Sequence, residues 1–366
     1  MIVDTEKLTG SFARHETFHP RYGWLRKAYE GGRLGADVFG RSDATVTFGV
    51  GKNMVNAIRH WGVAFDLLDE VRLPDRKRVT CVVPSALAEV LFCDDGWDPY
   101  LEDPSSLWLL HWRLLRPPSF APAWWLAFNA FDAVQFTDDQ LLHAVEEVVD
   151  ATPEWTRIAR GSIKKDVDCV LRMYALARAR GREGFEDVLD CPFRELGLLE
   201  VVPDESRTYR WVYGPKATLA PSVVAHAAVD FASREATGST VTLTRLATAP
   251  GGPGRAFKLP EAALYEALVA ASAHIDEIEV TSPGGIRQLA VRSDDPHLAM
   301  SILESYYERT AGSVRRLSDR PVINVLREYE QVLLDLDAED DRIQELELRQ
   351  RRITLAHELA SAGVSV

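Results

Sequence analysis

The chain has 366 residues, of which 46% are hydrophobic and 27% charged, and its 42 Lys and Arg against 55 Asp and Glu give a formal net charge of −13. This composition is typical of a soluble protein with more than one domain and excludes a wholly disordered chain. The most apolar stretch, 107–115, is too short to span a membrane and contains His111 and Arg113. Its four cysteines form no C-x-x-C pair and no signal peptide is evident, so we expect a cytoplasmic protein without a membrane contact.

Charge is distributed unevenly along the chain. Residues 1–80 contain 13 Lys and Arg and 10 Asp and Glu, a net charge of +3, whereas residues 81–366 contain 29 and 45, a net charge of −16. A polyanion responds to the local field more than to the total charge of a protein. A nucleic-acid surface is therefore expected near the N-terminal end.

The N-terminal segment has the element order of a DNA-binding module. A predicted helix begins near Pro20 and ends at Gly31-Gly32, and a short helix near 36–45 precedes a tight turn at Phe48-Gly-Val-Gly51. A helix over 52–68 and a basic hairpin over 71–82 follow. Helix, glycine turn, helix and hairpin is the order of a winged helix-turn-helix.

The helix over 52–68 has two unlike faces. One face is apolar, with Met54, Ile58, Trp61 and Phe65 at helical spacing. The other is polar, and asparagine pairs with adenine and arginine or lysine with guanine in the major groove, while basic side chains outside it contact phosphates. An amphipathic surface helix beside a solvated basic hairpin is the alternative. The predicted DNA-binding residues are Arg21, Lys52, Asn53, Asn56, Arg59, His60, Arg76, Lys77 and Arg78.

The rest of the chain divides into three parts. Residues 97–200 are rich in tryptophan and mostly helical in pattern, with start signals at Asp103 and Thr137, and the tryptophans at 108, 112, 124 and 125 are expected in the core. A second winged-helix pattern spans 221–292. Amphipathic helices over 320–360 suit a partner or homodimer contact, or pack on their own chain. The predicted fold is α+β, mainly α with small β hairpins, with winged helix-turn-helix modules at both ends of a Trp-rich helical middle. The predicted domains are 1–95, 96–205, 206–315 and 316–366.

Two short motifs are candidates for chemistry near the N-terminus. His15-Glu16-x-x-His19 matches the zinc peptidase pattern H-E-x-x-H, but Pro20 disfavours a helical His19, so a zinc metallopeptidase is a remote alternative. His15 and Glu16 are instead candidate catalytic residues beside the DNA face. Gly49-Val-Gly51-Lys52-Asn53 lacks the first glycine and the Ser or Thr of a phosphate loop. We expect neither a nucleotide nor a haem.

An acidic cluster at 94–103 is a candidate metal site. Asp98, Glu102 and Asp103 are the predicted ligands of Mg²⁺ or Mn²⁺, which would assist phosphodiester cleavage. Turns and helix caps explain the same residues, since Asp98 and Asp103 both precede a proline.

Several segments of this sequence are long enough to be specific. They are His15-Glu-Thr-Phe18, Arg21-Tyr-Gly-Trp-Leu25, Gly49-Val-Gly-Lys-Asn-Met-Val55, Ala57-Ile-Arg59 with Trp61, Asp98-Pro-Tyr-Leu-Glu-Asp103, Leu107-Trp-Leu-Leu-His-Trp112 and Lys165-Asp166. Together they resemble a domain-of-unknown-function family associated with DNA phosphorothioation gene clusters, the family of the Ssp-system B component. The resemblance covers residues 11–310.

The resemblance implies a role in installing sulfur in the DNA backbone as part of anti-phage defence. It implies a double-stranded DNA-binding protein that nicks one strand, acting with a cysteine desulfurase, an ATPase and a sulfotransfer partner. It assigns no nuclease residues. A non-catalytic adaptor that binds DNA and recruits the other modification proteins is the competing expectation.

Overall fold

The structure is a computed structural model that describes residues 5, 8–35, 37–72, 80–175, 191–203, 205, 207–235 and 238–311. The described residues form a mixed α+β fold that is mainly helical and contains three small antiparallel sheets. This confirms the predicted α+β class. They belong to two compact units, one comprising 23–100 and the other 8–22 and 101–311. The predicted C-terminal helices over 320–360 lie outside the described residues.

The unit of residues 23–100 contains four helices and one hairpin within its described part. The buried side of its third helix supplies Ile58, Trp61 and the following Phe65, all fully buried. Ser85 caps the fourth helix by accepting a hydrogen bond from the Ala88 amide at 3.1 Å. The elements are α1 (Trp24–Leu34), α2 (Ala44–Phe48), α3 (Lys52–Ala64), β1 (Leu68–Arg72), β2 (Thr80–Pro84) and α4 (Ala86–Phe92).

The sequence predicts that helix α1 ends at Gly31-Gly32. In the structure the helix continues to Leu34. Both glycines are buried, and a Cβ at Gly31 would lie 2.5 Å from the Phe48 ring. On α3, a Cβ at Gly62 would lie 2.9 Å from the Ala28 Cβ of α1. Gly62 therefore allows α3 to approach α1 closely and Gly31 leaves room for the Phe48 ring, which outweighs the low helix propensity of glycine.

The second unit is larger and its helices have recognisable start signals. Asp103 caps α5 by accepting a hydrogen bond from the Ser105 amide, and Thr137 and Gln140 form a capping box on α7. The elements are α5 (Pro104–Leu115), α6 (Pro122–Asn129), β3 (Gln135–Thr137), α7 (Asp138–Ala151), α8 (Arg160–Tyr174), β4 (Leu199–Val201), β5 (Thr208–Trp211), α9 (Pro221–Arg234), β6 (Thr240–Thr242), α10 (Leu243–Thr248), α11 (Pro253–Phe257), α12 (Glu261–Ser272), β7 (Ile278–Thr281), β8 (Gln288–Val291) and α13 (Leu298–Ala311).

One order of elements occurs twice in this second unit. A helix, a short strand, further helices and a hairpin follow one another over 122–211 and again over 221–291. The sheets have equivalent strand orders, β3-β5-β4 and β6-β8-β7, so the last strand is central in each. We call these regions the middle module (122–211) and the last module (221–291). The sequence analysis predicts a Trp-rich, mostly helical middle and no strands there, because strands of three or four residues show no readable alternation.

Helix α5 is buried around most of its circumference. The expected burial of Trp108, Trp112, Trp124 and Trp125 is confirmed, since none exceeds 4% exposure. His111 lies 2.8 Å from the Tyr174 hydroxyl and 2.9 Å from the Ala256 carbonyl oxygen, one contact for each ring nitrogen. Helix α5 therefore lies in the core of this unit.

Candidate nucleic-acid interface

Helix α3 presents its polar residues outward. Lys52, Asn53 and Asn56 are exposed, whereas Val55 and Ile58 are buried. The segregation arises from the sequence, because residues three and four apart share one face of a helix. One detail differs from the expected apolar face, since Met54 is only partly buried and Val55 takes its place in the core.

The turn before α3 keeps the first turn of the helix accessible. Gly49 has a φ of 64°, ends α2 and is exposed, and Gly51 precedes α3 without a side-chain cap. Glycine accommodates the left-handed conformation at position 49 without strain. Helix α2 and this turn position Lys52 and Asn53 at the outer end of α3.

Arg59 and His60 are less available than the residues of the first turn. The Arg59 guanidinium donates to the Glu70 carboxylate of β1 at 2.6 Å, and His60 is half-buried with its ring 5.1 Å from that of Trp61. An exposed ion pair of this kind contributes about 0.2–1 kcal/mol. Replacing Glu70 with a phosphate as the partner of the Arg59 guanidinium would therefore cost little free energy.

The remaining predicted DNA contacts are not gathered on α3. Arg76, Lys77 and Arg78 lie outside the described residues. Arg21 belongs to the unit of residues 101–311, is partly buried and contributes to lowering the pKa of the neighbouring His19.

His15 is buried against an aspartate that the sequence analysis did not pair with it. Its Nε2 lies 2.8 Å from Oδ1 of Asp166 on α8, and the same oxygen accepts a hydrogen bond from the Ala13 amide at 2.7 Å. Both side chains are about 1–2% exposed, and burial raises the pKa of Asp166, opposed by His15. No sequence signal joins positions 151 residues apart, although both occur in segments that carry the family resemblance.

The H-E-x-x-H segment is a turn and not a helix. Glu16 and Thr17 have φ values of 50° and 69°, so His15 and His19 do not share a helical face. His19 is buried, and burial together with the charge of Arg194 lowers its pKa to about 4. This geometry differs from the helical pair of histidines that a zinc peptidase uses.

The three predicted metal ligands have separate environments. Asp98 is buried in one unit, while Glu102 is exposed and Asp103 caps α5 in the other. Asp103 also accepts a hydrogen bond from the Tyr306 hydroxyl at 2.9 Å. Across the described residues, no group of three or more His, Cys, Asp or Glu side chains is arranged to hold a metal ion.

The sequence analysis overlooked a row of cations on α8. Arg160, Lys164, Lys165 and Arg172 are all exposed on this helix. The signal was readable, since positions 160, 164 and 172 recur at multiples of four residues. The net charge of −16 over residues 81–366 obscured this local row of cations.

Comparison with known proteins gives one family and one group of structures. Residues 12–307 match the family described as "Protein of unknown function (DUF4007)". A magnesium ion-bound SspB crystal structure is similar with 38% identity and a TM-score of 0.80, covering 89% of this chain and 98% of that one. A second SspB crystal structure has 39% identity, a TM-score of 0.78 and coverage of 86% and 94%. A search of curated proteins found no match. No described helix combines the length and apolar character needed to cross a membrane.

Proposed function

The chain belongs to the DUF4007 family, and we propose that it is a double-stranded DNA-binding protein of a phosphorothioation system with an anti-phage role, as its likeness to SspB suggests. The observation that carries the proposal is the outward face of α3. Lys52, Asn53 and Asn56 are accessible there at the start of a helix whose other face is firmly packed.

The residues from α2 to β2 act as a winged helix-turn-helix in this proposal. Helix α3 enters the major groove with its N-terminal residues against base edges, and Arg59 exchanges Glu70 for a phosphate. The hairpin residues Arg76, Lys77 and Arg78 contact the backbone as the wing. The last module is the second winged-helix domain. Both assignments are supported by element order alone.

Binding to short duplexes at increasing salt tests this proposal. Each lost phosphate contact lowers the slope of log Kd against log salt by about 0.9. We expect the double substitution Lys52→Ala/Arg59→Ala to weaken binding and reduce that slope by up to about 1.8. A Kd that ignores both salt and this double substitution would contradict the proposal.

Nicking of one strand is the second part of the proposal. His15 and Glu16 are the candidate catalytic residues, and Asp98, Glu102 and Asp103 the candidate acidic groups, with Mg²⁺ or Mn²⁺ as cofactor. The magnesium-bound SspB structure supports the choice of metal. Conversion of supercoiled plasmid to open circles with either metal measures the activity. Unchanged nicking by a Glu16→Gln variant would remove Glu16 from this role.

A non-catalytic adaptor is the alternative function. The burial of His15 against Asp166 favours it, because this histidine is engaged in holding the N-terminal segment to α8. An adaptor contacts other phosphorothioation proteins, such as the ATPase, or a second copy of the chain. Retention of the ATPase by a protein that does not nick DNA, and loss of that contact on truncation at Arg320, would identify the adaptor.

A further inference from the structure

We propose that helix α8 of the middle module forms a second surface for duplex DNA, distinct from α3. This inference rests on the proposed DNA-binding function and extends it to a helix in the other unit. Among its described elements the middle module has a helix, a short strand, two long helices and a hairpin, and α8 is the last α-helix described before the hairpin. A helix in that place is the one that winged helix-turn-helix proteins present to DNA.

The outward face of α8 is strongly cationic. Four exposed cations, Arg160, Lys164, Lys165 and Arg172, share it with a single partly exposed acid, Asp168. From position 160 to position 172 the helix rises about 18 Å, at 1.5 Å per residue. The cations therefore extend over more than three helical turns, a length suited to phosphates on both sides of one groove.

The cations differ in how firmly they are engaged. Arg160 donates to Glu146 of α7 at 2.6 Å, Lys164 lies 3.5 Å from Asp168, and Arg172 donates to the Thr17 carbonyl oxygen at 2.8 Å. Lys165 has no hydrogen bond or ion pair within the described residues. These contacts are solvent-exposed, so a phosphate competes with them at a cost of about 0.2–1 kcal/mol each.

The hairpin beside α8 adds two exposed arginines with acidic neighbours. Arg207 pairs with Asp138 at the start of α7, and Arg210 donates to Glu200 on the adjoining strand at 2.6 Å. Each of these arginines has an acidic partner, as Arg160 and Lys164 do, whereas Lys165 has none among the described residues. The first residues to test are therefore Lys164 and Lys165.

The positive charge of this surface favours a polyanion, namely duplex DNA, as its partner. Helix α12 occupies the equivalent place in the last module, and its exposed residues include Ala262, Glu266 and Val269, without a cation on the helix. Arg287 of the adjoining hairpin lies over Tyr265 of α12, 4.3 Å from the ring centroid. A shared element order with opposite surface charge indicates that the cations of α8 are not a requirement of the fold.

The experiment compares two double variants of the full chain that each remove two positive charges from the same unit. Lys164→Ala/Lys165→Ala alters α8, whereas Arg245→Ala/Arg292→Ala removes two exposed arginines paired with Glu235 and Glu279 elsewhere. Kd for a fluorescent duplex is measured over a range of salt concentrations. We expect the α8 variant to lower the slope of log Kd against log salt by about 1.8 and the control to leave it unchanged.

Three outcomes separate this inference from the proposed function. If the α8 variant has the same slope as the wild type while Lys52→Ala/Arg59→Ala has a reduced slope, DNA binding by α8 is contradicted and binding by α3 is not. The reverse pattern supports α8 and overturns α3. A wild-type protein that binds no duplex overturns both. Retained thermal stability of the α8 variant shows that any loss of affinity is local, as expected for exposed side chains.

Discussion

The middle and last modules share an order of elements and differ in what they present to solvent. Both place the last strand at the centre of a three-stranded sheet and a long helix before the hairpin. Helix α8 exposes four cations, whereas α12 exposes alanine, valine and glutamate. The buried pattern that specifies the module therefore leaves the outward face free to vary, so element order alone does not assign a ligand.

The largest expected effect concerns the contacts that hold the last module to α5. Asp230 of α9 accepts a hydrogen bond from Trp112 Nε1 at 3.0 Å and one from Arg116 at 3.1 Å, and it pairs with Arg234. Burial opposes ionisation of Asp230, but Arg234 and Arg116 hold its pKa below the usual range. We expect Asp230→Ala to lower the free energy of unfolding by about 3 kcal/mol, since the Trp112 indole and two partly buried arginines lose their acceptor.

Denaturant titration measures this loss. Asp132→Ala is the matched control, because Asp132 pairs with Arg255 in an exposed position of the same unit. The control should cost less than about 1 kcal/mol. Equal losses for the two variants would show that Asp230 does not anchor α9.

Protonation of His226 on α9 should destabilise the unit of residues 101–311 in acid. Burial, with the charge of Arg113 as the next cause, lowers the pKa of His226 on α9 to about 4. The unfolded state, with a pKa near 6.5, binds the proton more readily, so stability falls as pH decreases from 6.5 to 4. At pH 5 the loss attributable to His226 is about 2 kcal/mol.

Unfolding at pH 7 and pH 5 measures this effect through variants. His226→Gln should reduce the difference between the two pH values. His143→Gln should leave it unchanged, because His143 on α7 of the middle module is exposed. An unaltered pH dependence in His226→Gln would assign the acid sensitivity to another group.

The attachment of α8 to the N-terminal segment can be tested at Asp166. Replacement by alanine removes the acceptor for the Ala13 amide and the partner of His15, and we expect a loss of about 1–3 kcal/mol in unfolding free energy. Asp166→Asn keeps an acceptor oxygen and should lose less. Thermal unfolding of both variants distinguishes them, and equal losses would mean that the charge of Asp166 matters more than its hydrogen bonds.

Placing cations on α12 tests the comparison of the two modules directly. Its expected effect, on the salt dependence of binding, is the smallest of these predictions. Ala262→Lys/Glu266→Lys/Val269→Lys places three cations at helical spacing on one exposed face of α12. If the shared element order suffices to present a helix to duplex DNA, the salt slope should rise by about 0.9 for each new phosphate contact. An unchanged slope would show that the last module does not offer α12 to a duplex.

The sequence predicted local features better than distant ones. Helix starts at Asp103 and Thr137 follow from capping residues next to an apolar repeat, and the tryptophan core follows from composition. The exposed face of α3 could be predicted from helical spacing. The pairing of His15 with Asp166 could not, because no local signal joins residues so far apart. The strands β3–β5 were missed because they are too short to display alternation.

Gly62, at the point where α3 meets α1, restricts the direction in which α3 can face. With the two helices in such close contact there, rotation of α3 about its axis would bring its other side chains against Ala28 and Leu68. The helix is thus held at one azimuth before any ligand arrives. If α3 binds DNA as we propose, a duplex that fits it imperfectly must itself bend or shift register, and discrimination among sequences would then arise partly from the stiffness of the DNA.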